Sequence, residues 1–127
     1  MTTSFDPRQG LIVVRARILG PLDTAVVRFA LDTGATRTLV SESILQLLGY
    51  QTKRTTEQIQ ITTGSGIETT PLVVISRIAA LGFERRNLSI IAHTLPPTAS
   101  VDGLLGLDFL RDRTLSIDFR AGRIKLK

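Results

Sequence analysis

The 127-residue chain predicts a mainly β domain with one or two short helices. Three observations carry that prediction. Apolar and polar residues alternate around 11–19, 25–31 and 115–126, the period of half-buried strands. Turn chemistry punctuates the chain at short intervals, at Gly20-Pro21-Leu22-Asp23, Gly64-Ser65-Gly66, Leu95-Pro96-Pro97 and Ala121-Gly122. Only two stretches, 42–48 and 104–111, have helical character.

Residues 1–10 are polar, with Pro7 and Gly10, and read as a loose lead-in. From Leu11 to Leu19, Ile12, Val14, Ala16 and Ile18 share one face while Arg15 and Arg17 take the other. Ala25 to Leu31 returns with Val27, Phe29 and Leu31 on one face, completing a hairpin that delivers the chain to Asp32. Residues 42–48 predict a short helix, with Ser41 as N-cap, Glu42 at the positive end of the dipole and Gly49 as the stop. Gln58–Thr63 and Ile67–Ile75 are rich in Thr, Ile and Val and flank Gly64-Ser65-Gly66, a second hairpin with a flexible tip. Leu88–Ala92 is a further short strand and Leu104–Arg111 a second short helix. Leu115, Ile117 and Phe119 alternate, and Ile124 and Leu126 return after a turn, so 115–127 reads as a terminal hairpin. Strand, loop and short helix thus occur twice, around 25–49 and again around 88–111.

Composition supports one domain over residues 1–127: 43% apolar and 21% charged is globular, and the length suits a single core. With no Cys there is no disulfide or thiolate chemistry. No signal-peptide pattern and no membrane-length apolar run is present, so a cytoplasmic protein is expected. The net charge is +5, and residues 111–127 carry six Arg and Lys against Asp112 and Asp118. With aromatic residues only 5% of the chain and none interleaved with that basic tail, the tail reads as a solvated face, and nucleic acid is not expected as a partner.

The run Phe29-Ala30-Leu31-Asp32-Thr33-Gly34-Ala35 is where chemistry concentrates. An apolar strand ends in an acid, a small hydroxyl residue and a glycine. Thr33 offers a hydroxyl to lock the turn, Gly34 lets backbone approach closely, and Ala35 leaves room. Two carboxylates within hydrogen-bond reach cannot both ionise and share a proton; one then activates a water while the other protonates carbonyl and leaving amine. The run occurs once, so a second carboxylate of this kind has to come from another molecule. An Asx-type turn at a strand end would have the same composition.

The wider context is specific. Ala30 to Ser41, with Asp32-Thr33-Gly34-Ala35, resembles the active-site strand and loop of the retropepsins, the single-domain aspartic proteases of retroviral type. Val101-Asp102-Gly103-Leu104-Leu105-Gly106-Leu107-Asp108-Phe109-Leu110 is similar to their second hallmark, and Gly64-Ser65-Gly66 falls between the two, where that family carries its flap. The resemblance implies a closed β-barrel of the acid-protease fold, one lobe per chain, working as a homodimer on peptide or protein substrates without metal or other cofactor. It implies Asp32 as the catalytic aspartate and Thr33, Gly34 and Ala35 as supports of the loop. Gly34, Gly64, Ser65, Gly66, Leu104 and Leu105 are then the residues that meet substrate.

Thr36 and Leu107 stand where some relatives carry an acid and a basic residue that pair, and the terminal hairpin differs from the short terminal strands of the viral members. The pattern is closer to cellular and bacterial members. The same fold without useful catalysis would be a dimerisation or peptide-binding module. Asp102 is expected to cap a helix, and Asp108 to face solvent or pair with Arg111. His93 is the single histidine, with no Cys or acid cluster near it in sequence, so no metal centre is expected.

Overall fold

Side chains alternate across a pleated backbone, and that alternation decides which residues of each strand meet inside. The computed structural model describes residues 1–53 and 57–127. Along the chain run β1 (Thr2–Ser4), β2 (Val13–Leu19), β3 (Thr24–Leu31), β4 (Leu39–Ser41), α1 (Glu42–Leu47), β5 (Gln58–Thr63), β6 (Gly66–Ala80), β7 (Phe83–His93), β8 (Gly103–Leu105), α2 (Leu107–Leu110), β9 (Leu115–Asp118) and β10 (Arg123–Leu126).

Strands follow the order β2-β3-β8-β4-β7-β6, and β6 pairs back onto β2 from Ala16↔Ala80 to Leu19↔Arg77. Six strands therefore close a barrel, while β5 extends β6 beyond it as the outer arm of a hairpin. Of the inward residues predicted for the first hairpin, Val14, Ala16, Ile18, Val27 and Phe29 are buried, while Ile12 and Leu31 at its ends are half-buried. Ile75, Ile78 and Ile90 meet them from β6 and β7, and Leu45 and Phe109 plug the barrel from the two helices. Each of the buried Val, Ile, Leu and Phe side chains among them contributes about 1.5–3 kcal/mol by leaving water.

Two pairings in the barrel are parallel: β3 lies along β8 (Phe29↔Gly103 to Leu31↔Leu105) and β4 along β7 (Leu39↔Ile91 to Ser41↔His93). Each joins one of the two similar strand–loop–helix units to the other. The repeat visible in the sequence is thus interlocked rather than side by side.

Several elements differ from the sequence reading. The lead-in at 1–10 is not loose throughout. Thr2–Ser4 pairs with β10 (Thr2↔Lys125, Ser4↔Arg123) in a second sheet of order β1-β10-β9. Phe5 is buried, its ring edge-on to Phe119 at 6.2 Å between centroids. The terminal hairpin itself is present, β9 against β10 (Arg123↔Asp118 to Leu126↔Leu115). β6 and β7 run well past Ile75 and before Leu88, meeting at a Leu81-Gly82 turn in which both residues have positive φ. The extension was hidden because its outer face is charged: Arg77 and Arg86 both reach Glu84. The second helix is only Leu107–Leu110, because Gly103–Leu105 is extended into the barrel as β8. Among the described residues no helix is long and apolar enough to cross a membrane.

Candidate active site

β3 leaves the barrel at Leu31, and the next four residues turn while still tied to β8. The Asp32 N–H donates to the Leu105 carbonyl (3.0 Å) and the Ala35 N–H returns to the Asp32 carbonyl (3.1 Å). Asp32 Oδ1 accepts the Gly34 N–H at 2.9 Å. A Cβ on Gly34 would sit 3.2 Å from that same oxygen, which is why a residue without a side chain suits the position. Asp32 is half-buried, while Thr33 and Gly34 are exposed at the tip. Among the described residues the Thr33 hydroxyl has no hydrogen-bond partner within the chain.

The outgoing side of the loop is clamped by the segment around α2. The Leu107 N–H donates to the Ala35 carbonyl (2.8 Å). Thr38 is fully buried; its Oγ1 accepts the Gly106 N–H (3.1 Å) and donates to Asp108 Oδ1 (2.7 Å). The Thr38 N–H bonds Asp108 Oδ2 (2.9 Å), and Asp108 Oδ1 also accepts the Phe109 N–H (2.9 Å). Gly106 has to be glycine for this approach, since a Cβ there would come 2.8 Å from the Ala35 carbonyl oxygen and from the Arg37 carbonyl carbon. Arg85 holds the far end of α2, donating to the Phe109 and Arg111 carbonyls.

Asp108 therefore neither faces solvent freely nor pairs with Arg111, contrary to the expectation; a buried hydroxyl and two N–H groups claim its carboxylate. Asp102 caps no helix either. Its Oδ2 accepts the Arg28 N–H (3.1 Å), its N–H meets the Arg28 carbonyl (2.7 Å), and its carbonyl accepts the Ser41 N–H (2.9 Å). It joins β3 to the chain entering β8 and to β4. Thr38 was not singled out from the sequence, and its partners lie about 70 positions away, beyond the reach of any local pattern.

The β5–β6 hairpin closes over Gly64-Ser65, with Thr63↔Gly66 as the last pair. Gly66 has φ +116°, a conformation side chains rarely adopt, and Ser65 N–H donates to Thr63 Oγ1. A Cβ at Gly64 or Gly66 would meet nothing within 4 Å, so the tip stands clear of the barrel. At its base Ile59 and Ile61 pack on a small apolar cluster of Leu39, Leu72 and Ile91, joined by Leu95 and Leu104. Leu104 thus belongs to an open apolar floor between hairpin and barrel. Leu105, expected beside it at the substrate, is instead fully buried in the main core, because consecutive residues of β8 point to opposite faces. His93 Nε2 lies 3.7 Å from a Glu68 carboxylate oxygen. Among the described residues no group of three His, Cys, Asp or Glu is placed to hold a metal ion.

The family model described as "gag-polyprotein putative aspartyl protease" matches residues 20–112, from the end of β2 through α2. The chain belongs to this family. A search of curated proteins gives no significant match. Among solved structures, the chain is similar to a retropepsin-like aspartic protease from Rickettsia conorii, with a TM-score of 0.74 and 19% identity over 99% of this chain and 88% of that one. That likeness shows the retropepsin-like fold. As a member of the gag-polyprotein aspartyl protease family, the chain carries its aspartate at the seam of the two interlocked units, where β3 meets β8.

Proposed function

We propose that the chain is an aspartic endopeptidase active as a homodimer, with Asp32 of each copy meeting at the two-fold axis. One observation carries this reading: a single Asp32 stands on an exposed tip whose backbone is fixed on both sides, with the Thr33 hydroxyl beside it unpartnered. A tip so held is prepared to meet a copy of itself. Thr33 of each loop would bond across the axis, and Gly34 and Ala35 would shape the floor on which substrate backbone lies.

The chemistry follows from two carboxylates in contact. They share one proton. The ionised carboxylate takes a proton from a bound water as its oxygen attacks the peptide carbonyl, and the protonated one donates to the carbonyl oxygen. Collapse of the tetrahedral intermediate breaks the C–N bond, and the proton held by the dyad passes to the leaving amine. The extended substrate would lie on the apolar floor around Leu104, covered by Gly64-Ser65-Gly66, whose backbone can pair with it as an added strand and exclude water.

The test is cleavage of a mixed peptide library by wild type and by Asp32→Asn, with sedimentation of both. Cleavage by wild type alone, with both proteins dimeric, is expected. Undiminished proteolysis by Asp32→Asn overturns the assignment. Dimers that bind peptide without cutting it would mark a binding module instead. Specific activity should also fall on dilution as the dyad separates.

A further inference from the structure

Beside the clamped loop lies a cavity of about 420 Å³ lined by Thr36, Arg37, Leu88, Ser89, Asp108 and Arg111. Two guanidinium groups and one carboxylate share it, leaving an excess of one positive charge. The carboxylate is already committed: Asp108 accepts Thr38 N–H, Thr38 Oγ1 and Phe109 N–H, and among the described residues neither arginine forms an ion pair with it. Arg37 uses Nη1 on the Ser89 carbonyl (3.2 Å). An arginine has five N–H donors, so most of its fork is uncommitted. Among the described residues Ser89 Oγ is buried with no hydrogen-bond partner, a defect that a well-packed wall ordinarily avoids.

Through Ser89 the cavity adjoins the strand face that carries the apolar floor. On β6 and β7 the pairs Leu72↔Ile91 and Val74↔Ser89 are two residues apart on each strand and so share one face. Leu72 and Ile91 belong to the apolar cluster that holds Leu104, and Val74 beside Ser89 is exposed. Arg37 precedes Leu39 of that floor by two residues and reaches the Ser89 carbonyl, so an extended peptide leaving the floor past Leu39 would meet it.

We propose that this cavity is a specificity pocket for an acidic side chain of the substrate, with Arg37 and Arg111 as the groups that receive its carboxylate. The inference rests on the protease reading above for the direction of the peptide, and on the cavity itself for its charge preference. A guanidinium matches a carboxylate in plane and can donate two parallel bonds, which an amide of the same shape does not repay. The excess charge selects against Lys and Arg at the same position.

The experiment uses one library of extended peptides in two arms: cleavage by the wild-type dimer, and retention of uncut peptide by the Asp32→Asn dimer. Asp or Glu should be enriched about tenfold at one fixed position outside the scissile pair, on the order expected of one charge-assisted pair. Arg37→Gln and Arg111→Gln should each reduce that enrichment severalfold, and the Arg37→Glu/Arg111→Glu double variant should turn it toward Lys. Raising the salt to about 0.5 M should weaken the preference more than the cleavage itself. Circular dichroism checks that each variant is folded, and agreement between the two single variants guards against a local packing artefact at either. Cleavage by wild type with no acidic preference, or a preference untouched in both single variants, overturns the pocket while leaving the protease reading intact. Retention of acidic peptides that depends on the arginines, without cleavage, supports the pocket and removes the protease reading. No retention and no cleavage overturns both.

Discussion

The clamp on the loop of residues 32–38 predicts that one hydroxyl holds much of the candidate site together. Thr38→Val keeps the branched shape of a fully buried side chain and deletes only the Oγ1 that joins Gly106 to Asp108. Two losses follow. The Gly106 N–H is left in a buried place without an acceptor, at about 1–3 kcal/mol, and a hydrogen bond to a carboxylate disappears, at about 1.5–3 kcal/mol. Because the two are coupled through one atom, a total of about 3–5 kcal/mol is a fair sum, a large share of the ~5–15 kcal/mol typical of a folded domain. Urea unfolding at one fixed protein concentration should show the midpoint falling by roughly 1–3 M with the slope unchanged. Thr38→Ser retains the hydroxyl and removes one methyl, so it should cost only about 1 kcal/mol. A loss below about 1 kcal/mol for valine refutes the argument. So does a serine variant as damaged as the valine one, because packing rather than the hydroxyl would then be the cause.

The two leucines of β8 should separate cleanly. Leu105→Ala should destabilise by about 2–5 kcal/mol in chemical denaturation, whereas Leu104→Ala should cost less stability and alter which residues are accepted beside the scissile bond in library profiling. Gly66→Ala should lower kcat/KM severalfold with little change in unfolding midpoint, since it strains a backbone at φ +116° in a hairpin tip clear of the barrel. Gly64→Ala, with open space and no positive φ, should leave the unfolding midpoint close to wild type.

What could be read from the chain and what could not divide along the range of the interaction. Asp32 at the end of a strand, the hairpin tipped by Gly64-Ser65-Gly66 and the terminal hairpin are local: a period of two and a glycine turn suffice, and the backbone follows. Asp108 looked like an exposed helical acid because four residues of helix offer no pattern to contradict it. Its partner Thr38 arrives from the other half of the chain. β1 lacked any apolar alternation because three polar residues gain their place from β10, and the outer halves of β6 and β7 carry arginines and Glu84 where a strand signal would need apolar residues.

The unread contacts around the loop share a direction, because they run between the two similar units. β3 takes β8 as its neighbour and β4 takes β7, Asp102 bridges Arg28 to Ser41, and Thr38 binds Gly106 and Asp108. Each unit alone is only a strand, a loop and a short helix. Crossed, they fix the backbone of residues 32–38 from both sides and leave only its tip uncovered. A catalytic carboxylate needs that combination. If it were held by its own turn alone, it would spend ordering entropy each time a second copy approached. With the loop after it clamped by contacts some 70 residues away, on the proposed reading it would meet a second copy already in place. On the proposed reading the crossing therefore serves both stability and activity, and variants that loosen Thr38 should lose cleavage before they lose the fold.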